Sequence, residues 1–287
     1  MNKFGIIATC FILATSAASA DQNIISQKVN VGPIIDGIGD DKVWKTVSPI
    51  KTRDTVANID IELRSVHTDK SIFIMARFPD QTENRQHKYL LWNEDLKSYR
   101  SGPKREDSFI LKWNMEAAPV DLKLKGDDEY LADVWYWKAN RTDPVGAADD
   151  KMHIYGKNKL KKSKSLISRN GQQFYLTRQS DEGRSAYSSI AYEKFTEQEV
   201  PRYASREPEG SRGDIVAKGQ WKDGYWTIEL SRLLHTGHAD DVQFVTSQDY
   251  LFGVSRHEIA GKPANPKLEQ PLYESGDVGE PLVLKWN

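Results

Sequence analysis

Short runs in which apolar and polar residues alternate, each bounded by turn-forming residues, recur through most of this chain. Strict alternation places every second side chain on the same face, which is typical of a half-buried β-strand. Helical periodicity is weak, and we find no internal repeat. The pattern predicts an all-β fold, namely a two-sheet antiparallel β-sandwich with long loops and a few short helices. The predicted strands cover residues 60–65, 71–78, 108–113, 132–139, 214–221, 226–229, 242–245, 251–255 and 281–286.

Turn signals and irregular stretches divide these strands. Residues 68–70 (TDK) join two of them, and Asp223-Gly224 is a hairpin signal. The polar stretches 81–105 and 140–210 show no clear period and are longer than ordinary connections. We expect mostly loops there, including residues 174–210, and we expect a ligand pocket to be formed by them.

The N-terminus has the pattern of a secretory signal peptide. Lys3 precedes an apolar run over residues 4–14, and small residues of the A-x-A kind end at Ala20. The run is shorter than the ~20 residues that span a bilayer. The sequence predicts a cleaved signal peptide over residues 1–20, a single mature domain over 21–287 and a periplasmic location.

Cleavage changes the chemistry that the mature chain can offer. Cys10 is the only cysteine, so the mature chain would have no disulfide, no thiolate metal site and no thioether link to a haem. Loss of Lys3 leaves 39 basic against 41 acidic side chains, a net charge near −2. Such a balance gives no basic surplus for nucleic acid.

Common catalytic motifs are missing from the sequence. We find no G-x-S-x-G, P-loop, dinucleotide glycine fingerprint or H-E-x-x-H. His235 and His238 could bind a metal from one helical turn, but the neighbouring glycine and aspartates favour a surface turn. Asp36, Asp40 and Asp41 could bind calcium, but without the spacing of a calcium loop they favour turn formation.

The densest local feature is the aromatic strand over residues 133–139 (DVWYWKA). On a strand, Trp135 and Trp137 share one face, whereas Tyr136 and Lys138 share the other. Burying a lysine is costly unless its amine loses the proton or finds a partner, and a haem iron is one such partner. The alternative is that Lys138 extends to solvent at the strand end, and composition alone favours that alternative.

Seven motifs resemble those of the haem-binding family typified by the γ subunit of ethylbenzene dehydrogenase, and they occur in order along nearly the whole mature chain. The family also includes related subunits of dimethylsulfide dehydrogenase and chlorate reductase. Residues 133–150 (DVWYWKANRTDPVGAADD) are similar to its signature. The other similar stretches are residues 77–82 (RFPDQT), 105–113 (REDSFILKW), 213–229 (GDIVAKGQWKDGYWTIE), 234–244 (LHTGHADDVQF), 252–261 (FGVSRHEIAG) and 270–273 (QPLY).

The resemblance implies a β-sandwich like that of certain carbohydrate-binding modules, with one non-covalent haem b at its edge. The iron of such subunits takes an axial lysine and an axial methionine. Lys138 lies within the matching motif and is the candidate lysine. Met115 is the first candidate for the second ligand, followed by Met152 or His153, although His153 is more often a surface histidine.

The same resemblance suggests a pocket and a function. Trp113, Trp135, Tyr136 and Trp137 could wall a dry haem pocket, and Arg141 could meet either a haem propionate or Asp149 or Asp150. A six-coordinate iron suits electron transfer. The implied function is a periplasmic b-type electron-transfer protein or the haem subunit of a molybdenum oxidoreductase, with a cytochrome or molybdenum enzyme subunits as redox partner.

Two other functions compete with this interpretation. The sandwich, residues 36–44 and the surplus of aromatic residues suggest a carbohydrate-binding module. A stand-alone hydrolase ranks last, because no nucleophile–base pair is visible.

Overall fold

A computed structural model describes residues 22–54, 57–257 and 278–287 of the chain. The predicted signal peptide with Cys10 lies outside these residues, as do residues 270–273 of the resembling motifs. No helix in the described ranges is both long and apolar enough to cross a membrane.

Strands dominate the described chain. In chain order they are β1 Gln22–Lys28, β2 Ile50–Asp54, β3 Ile59–His67, β4 Ser71–Pro79, β5 Leu90–Asn93, β6 Ser98–Ser101, β7 Ser108–Asn114, β8 Tyr130–Lys138, β9 Asp149–Gly156, β10 Lys164–Ile167, β11 Gln173–Ser180, β12 Tyr187–Ser189, β13 Glu199–Val200, β14 Tyr203–Ser205, β15 Val216–Lys222, β16 Tyr225–Leu233, β17 Tyr250–His257 and β18 Leu282–Trp286. The helices are short 3₁₀ turns at Lys42–Thr46, Asp143–Val145 and Ser211–Gly213.

Two large sheets form the body of the fold. The first has the strand order β10-β11-β9-β8-β7-β17-β18-β1, and the second has the order β1-β3-β4-β16-β15, with β2 added on β3. Strand β1 belongs to both, because residues 22–26 pair with β18 and residues 27–28 pair with β3. These two β1 pairings are parallel, and the other pairings within the sheets are antiparallel. The predicted two-sheet sandwich is confirmed.

The main hydrophobic core lies between the two sheets. Trp113, Trp135 and Trp137 of the first sheet belong to one buried cluster with Ile74 and Trp226 of the second. Trp137 meets Trp226 edge to face, with ring centroids 4.9 Å apart. These tryptophans bury large apolar areas and so hold the sheets face to face.

A second cluster covers the opposite face of the first sheet. Its members alternate with the core residues along β8, so that Tyr130 and Val134 face away from the tryptophans. Phe174 of β11 stacks on Tyr155 of β9 within this cluster, with centroids 4.8 Å apart. Strand β8 is therefore covered by protein on both faces, and Lys138 lies at its end on this second face.

Several local predictions are confirmed, and two are wrong. The predicted hairpin at Asp223-Gly224 joins β15 to β16, with positive φ angles of 51° and 80° as a type I′ turn requires. Residues 242–245 are not a strand, because their N–H groups donate to the side chains of Asp133 and Tyr250 and to the carbonyl of Leu234 rather than to a neighbouring strand. The stretch 140–210, expected to be mostly loop, contains β9 and β10, and its part over 174–210 begins with β11, which pairs with both.

The remaining irregular stretches form two small sheets. Strands β5, β6 and β13 make one, and β12 and β14 make the other. Both lie in the stretches 81–105 and 140–210, where we expected a ligand pocket. Tyr187 of β12 lies beside Lys138 at the end of β8, and Tyr203 of β14 lies beside Arg141.

Candidate functional site

Lys138 is enclosed by protein. It is the last residue of β8, and only 1% of its surface is exposed. Its neighbours on the same face of the strand are Tyr136 and Val134, as the alternation predicted. The alternative in which Lys138 extends to solvent is therefore wrong.

The Lys138 amine is held by an ion pair and two aromatic rings. Its Nζ donates to Oδ2 of Asp149, the first residue of β9. Nζ also lies 4.3 Å from the ring centroid of Tyr136 and 5.3 Å from that of Tyr187. We call these residues, together with Lys151 and Arg212 below, the Lys138 cluster.

Asp149 is the single carboxylate among several cations in this cluster. Arg212 donates its Nε to Oδ1 at 2.8 Å, and Lys151 places its Nζ 3.1 Å from Oδ2. Burial favours the protonated acid, but Lys138, Lys151 and Arg212 outweigh it and hold the pKa of Asp149 well below its ordinary range. Asp149 is therefore ionised.

Burial raises the pKa of a carboxyl but lowers that of an amine such as Lys138. It lowers the pKa of the amine to about 7, despite the opposing attraction of Asp149. Charge repulsion from nearby Arg141 and Lys151 is part of this lowering. The amine can therefore become neutral near physiological pH, which makes its lone pair available to an electrophile.

A second charged group lies next to this cluster. Arg141 pairs with Oε1 of Glu106, and Oε2 of the same carboxylate accepts the backbone N–H groups of Asn140 and Arg141 at 2.7 and 3.1 Å. The salt-bridge partner of Arg141 is thus Glu106 rather than the expected Asp149 or Asp150. The guanidinium also lies 5.2 Å from the ring centroid of Tyr187, which links the two groups.

His87 completes this region. Its Nδ1 lies 3.3 Å from Oε1 of Glu106, and its ring centroid is 6.0 Å from that of Tyr203. Burial lowers the pKa of His87 far below its ordinary value, and the nearby charges of Arg141, Lys88, Arg105 and Lys138 add to this effect. His87 therefore stays neutral, and its Nδ1 accepts the backbone N–H of Glu106 at 3.5 Å. Sequence reasoning missed it, since it lies in a stretch without periodicity.

The predicted aromatic wall of the pocket needs correction. Only Tyr136 contacts Lys138, because it shares the same face of β8. Trp113, Trp135 and Trp137 lie on the core face between the sheets, and Trp137 donates its Nε1 to Asp143 at 2.9 Å. Alternation along β8 places these tryptophans on the side opposite to the amine.

The predicted second ligands are not brought to Lys138. Met115 follows β7 and bonds to Leu131, at the opposite end of the β7–β8 ladder from the Ser108–Lys138 pair. Six residues of strand separate the two ends, or roughly 20 Å at ~3.3 Å per residue. One iron therefore cannot bind both Lys138 and Met115 in this arrangement.

Met152 and His153 are also remote. They pair with Asp133 and Ala132, five and six residues before Lys138 along β8. His153 is not a surface residue as expected, because it is 6% exposed and burial lowers its pKa well below the ordinary value. The strand register therefore places Met115, Met152 and His153 at least five residues along the strands from Lys138.

The core face of β8 carries a further charged group that sequence reasoning missed. Nη1 of Arg232 lies 2.7, 3.5 and 3.2 Å from carboxylate oxygens of Asp133, Asp150 and Asp241. We call these four residues the Arg232 cluster. Its signal was present in the sequence, because Asp133 shares a face with Trp135 and Trp137 and so had to be buried with a partner.

Two other features bear on ligand binding. A cavity of about 470 Å³ lies beside the end of β8, lined among others by Ala139, Asn140 and Lys218, although Lys138 does not border it. Trp44, which suggested a sugar-binding face, is 2% exposed and donates its Nε1 to Glu229 at 2.6 Å. It therefore cannot stack on a sugar.

The sequence matches the family model described as "Ethylbenzene dehydrogenase" over residues 41–265. The chain belongs to the ethylbenzene dehydrogenase family. The matched range contains both the Lys138 cluster and the Arg232 cluster. A search of curated proteins gave no match.

Solved structures resemble this family member only distantly. A family 9 carbohydrate-binding module from Caldicellulosiruptor kristjanssonii, in complex with glucose, has a TM-score of 0.41 at 10% identity, covering 93% of this chain and 96% of that one. A putative carbohydrate-binding protein from Bacteroides uniformis has a TM-score of 0.40 at 10% identity, covering 93% and 100%. Likenesses this weak carry no weight for function.

Proposed function

We propose that this chain is an exported electron-transfer protein that binds one b-type haem through Lys138, as the haem subunit of a larger molybdenum oxidoreductase complex. Membership of the ethylbenzene dehydrogenase family supports a role as a subunit of such a complex. The observation that carries the proposal is the buried amine of Lys138, whose pKa of about 7 lets it offer a lone pair.

The donor chemistry of the Lys138 cluster fits a haem iron. A neutral amine binds iron, whereas a protonated one does not, so a lysine ligand needs the lowered pKa that burial gives here. The rings of Tyr136 and Tyr187 supply apolar surface next to Nζ. Haem would supply a one-electron centre, and six-coordination would suit it to electron transfer.

The described arrangement is closed around the amine. Asp149 pairs with Nζ, and the ring centroid of Tyr187 lies 5.3 Å from it, so both side chains would have to move for a haem iron to bind the amine. Tyr187 belongs to the two-stranded sheet β12–β14, which lies apart from the large sheets. We expect haem binding to move this small sheet aside and to release Lys138 from Asp149.

His87 is our candidate for the second axial ligand. It is neutral, and it lies 3.3 Å from Glu106, the carboxylate that pairs with Arg141 beside Tyr187 of the Lys138 cluster. The backbone N–H of Glu106 donates to Nδ1 at 3.5 Å and so fixes the orientation of the ring. Met115 lies too far away to share an iron with Lys138.

Positive side chains surround the same region. Burial lowers the pKa of Lys88, and repulsion from Arg105, Arg141 and Arg202 contributes to this lowering. A haem carries two propionates, and arginines are suited to bind carboxylates. These four side chains are therefore candidates for holding the propionates.

Haem titration of the purified mature chain tests the function and the ligand together. We expect one haem per chain by pyridine haemochrome assay, with reversible one-electron reduction. His87→Ala should change the low-spin spectrum, whereas Met115→Leu should leave it unchanged. A protein that refuses haem would contradict the proposal, and a spectrum altered by Met115→Leu alone would restore methionine as the ligand.

Glycan binding is the alternative function. An exposed aromatic group favours it, in which Trp92 contacts Tyr99 and Phe195 with centroids 5.1 and 5.3 Å apart. Phe195 is 48% exposed. Glycan binding by the haem-free protein, abolished by Trp92→Ala, would favour this alternative.

A further inference from the structure

The turn after β16 brings together three side chains that the haem proposal does not use. Asp214, His238 and Asp241 each offer one ligand atom, and these atoms lie within 4.8 Å of one another. Nδ1 of His238 is 2.7 Å from Oδ2 of Asp214 and 3.8 Å from Oδ2 of Asp241. Residues far apart in sequence thus converge on one point near the surface.

The turn that presents His238 and Asp241 is rigidly built. The side-chain amide of Gln243 accepts the N–H groups of Thr236 and Gly237 at 3.0 and 3.2 Å, and it donates to the carbonyl of His238 at 3.0 Å. Gly237 takes the positive φ of 82° that this turn requires. A turn held in this way positions its side chains before any ligand arrives.

Asp241 directs an oxygen without a hydrogen-bond partner toward His238. Its side chain is 0% exposed, and its Oδ1 accepts from Arg232 at 3.2 Å. Its Oδ2 has no hydrogen-bond partner among the described residues. A buried carboxylate oxygen in this state costs free energy, which a bound cation would offset.

The neighbouring Asp240 shows what a structural aspartate does in the same turn. Its two carboxylate oxygens accept the hydroxyl of Ser211 at 2.8 Å and the N–H of Glu182 at 3.3 Å. Asp240 is thereby occupied in holding loops together. Asp241 Oδ2 has no such task, which separates it from its neighbour.

We propose that Asp214, His238 and Asp241 bind one divalent transition-metal ion, with zinc as the best match. Zinc takes imidazole nitrogen and carboxylate oxygen at ~2.0–2.2 Å in a tetrahedral arrangement, which sets ligand atoms roughly 3.3 Å apart. The observed separations of 2.7 and 3.8 Å bracket this spacing. Small rotations of the His238 and Asp214 side chains, which are 40% and 22% exposed, complete the site.

The proposed site has an open side and a structural consequence. Three protein ligands leave the fourth position of zinc to water on the exposed side of His238. The ion joins the turn after β16 to Asp214, which directly follows the 3₁₀ turn Ser211–Gly213. That turn carries Arg212 of the Lys138 cluster, so the metal stabilises the loop that supports Asp149.

Metal titration of the mature chain, after treatment with a chelator, tests the proposal. We expect one zinc per chain by calorimetry, and Co²⁺ substitution should give the visible absorption bands of a tetrahedral site. His238→Ala and Asp214→Asn should each weaken zinc binding at least tenfold and remove the cobalt bands. His235→Ala is the matched control, because it removes an exposed histidine three residues away and should change neither.

The same titration can overturn the proposal. A wild-type chain that binds no zinc would leave His238 and Asp214 as an ion pair only. Equal losses in His235→Ala and His238→Ala would indicate unspecific surface binding. Circular dichroism of each variant separates loss of ligand from loss of fold. Haem titration of the same samples distinguishes failure of this proposal from failure of the haem proposal, because the two sites share no ligand residue.

Discussion

At the residue scale, burial decides which charged groups keep their ordinary protonation state. Lys138, Asp149 and Arg232 are all almost fully buried, yet each has at least one opposite charge within contact distance. Alternation along β8 predicted that Lys138 faces away from Trp135 and Trp137. Its partners were not predictable, because Asp149 and Arg212 reach it through register and loop paths that no local pattern encodes.

Asp181 is the buried carboxyl with the poorest compensation. It is 4% exposed, and neither of its carboxylate oxygens has a hydrogen-bond partner among the described residues. Burial raises its pKa to about 8, and repulsion from Asp240 and Asp133 adds to this effect. The folded protein therefore keeps a proton on Asp181 that the unfolded chain, with a pKa near 4, gives up.

This difference predicts a pH dependence of stability. Between about pH 4 and pH 8 the folded state binds more protons, so the free energy of unfolding falls as pH rises, by at most ~1.4 kcal/mol per pH unit for one group. Asp181→Asn should flatten this slope and raise stability at pH 8. Urea unfolding at a series of pH values, in the presence of a chelator, measures this slope.

A neighbouring residue supplies the control for this prediction. Glu182→Gln alters an exposed carboxylate next in sequence and should leave the slope unchanged. An unchanged slope in Asp181→Asn would show that the carboxyl is ionised in the folded state.

At the element scale, strands with one clear alternation were predicted well from sequence, and those whose burial depends on later partners were not. Strands β3, β4, β7 and β8 lie where the pattern placed them. Strand β11 was taken for a loop, because its outer residues are polar and its inner Phe174 and Leu176 are buried only by the second cluster. Residues 242–245 alternate like a strand, but the segment has no regular structure, and its Val242 and Phe244 side chains are buried in the main core.

Close approach between β8 and β15 gives a prediction at this scale. A Cβ atom at Gly219 would lie 2.4 Å from Cζ2 of Trp137, and the Gly219 N–H donates to Asp143 at 2.7 Å. Gly219→Ala must therefore displace a buried tryptophan, at a cost of about 1–3 kcal/mol. Thermal or urea unfolding measures the loss.

The adjacent exposed position serves as the reference for this variant. Gln220→Ala should change stability by less than about 0.5 kcal/mol. Equal stability of Gly219→Ala and wild type would mean that the sheets are less tightly packed at this point than described.

At the scale of the whole molecule, the sandwich closes through β1, which pairs with both sheets. The long stretches 81–105 and 140–210 then extend over one end of β8 and place His87, Arg141 and Tyr187 around Lys138. The sequence led us to expect a ligand pocket in these stretches, and this stays a prediction. The sequence does not predict which side chains meet there, because contacts such as Arg141–Glu106 and Arg212–Asp149 cross 35 and 63 residues of chain.

The central claim is that the Lys138 amine binds haem iron, and a comparison of two lysine variants tests it most directly. Lys138→Ala removes the proposed ligand, whereas Lys151→Ala removes a second cation that also contacts Asp149, with its Nζ 3.1 Å from Oδ2. Optical spectra after haem titration should show wild-type low-spin bands in Lys151→Ala, and altered bands or no bound haem in Lys138→Ala. Identical low-spin spectra for Lys138→Ala and wild type would contradict the account.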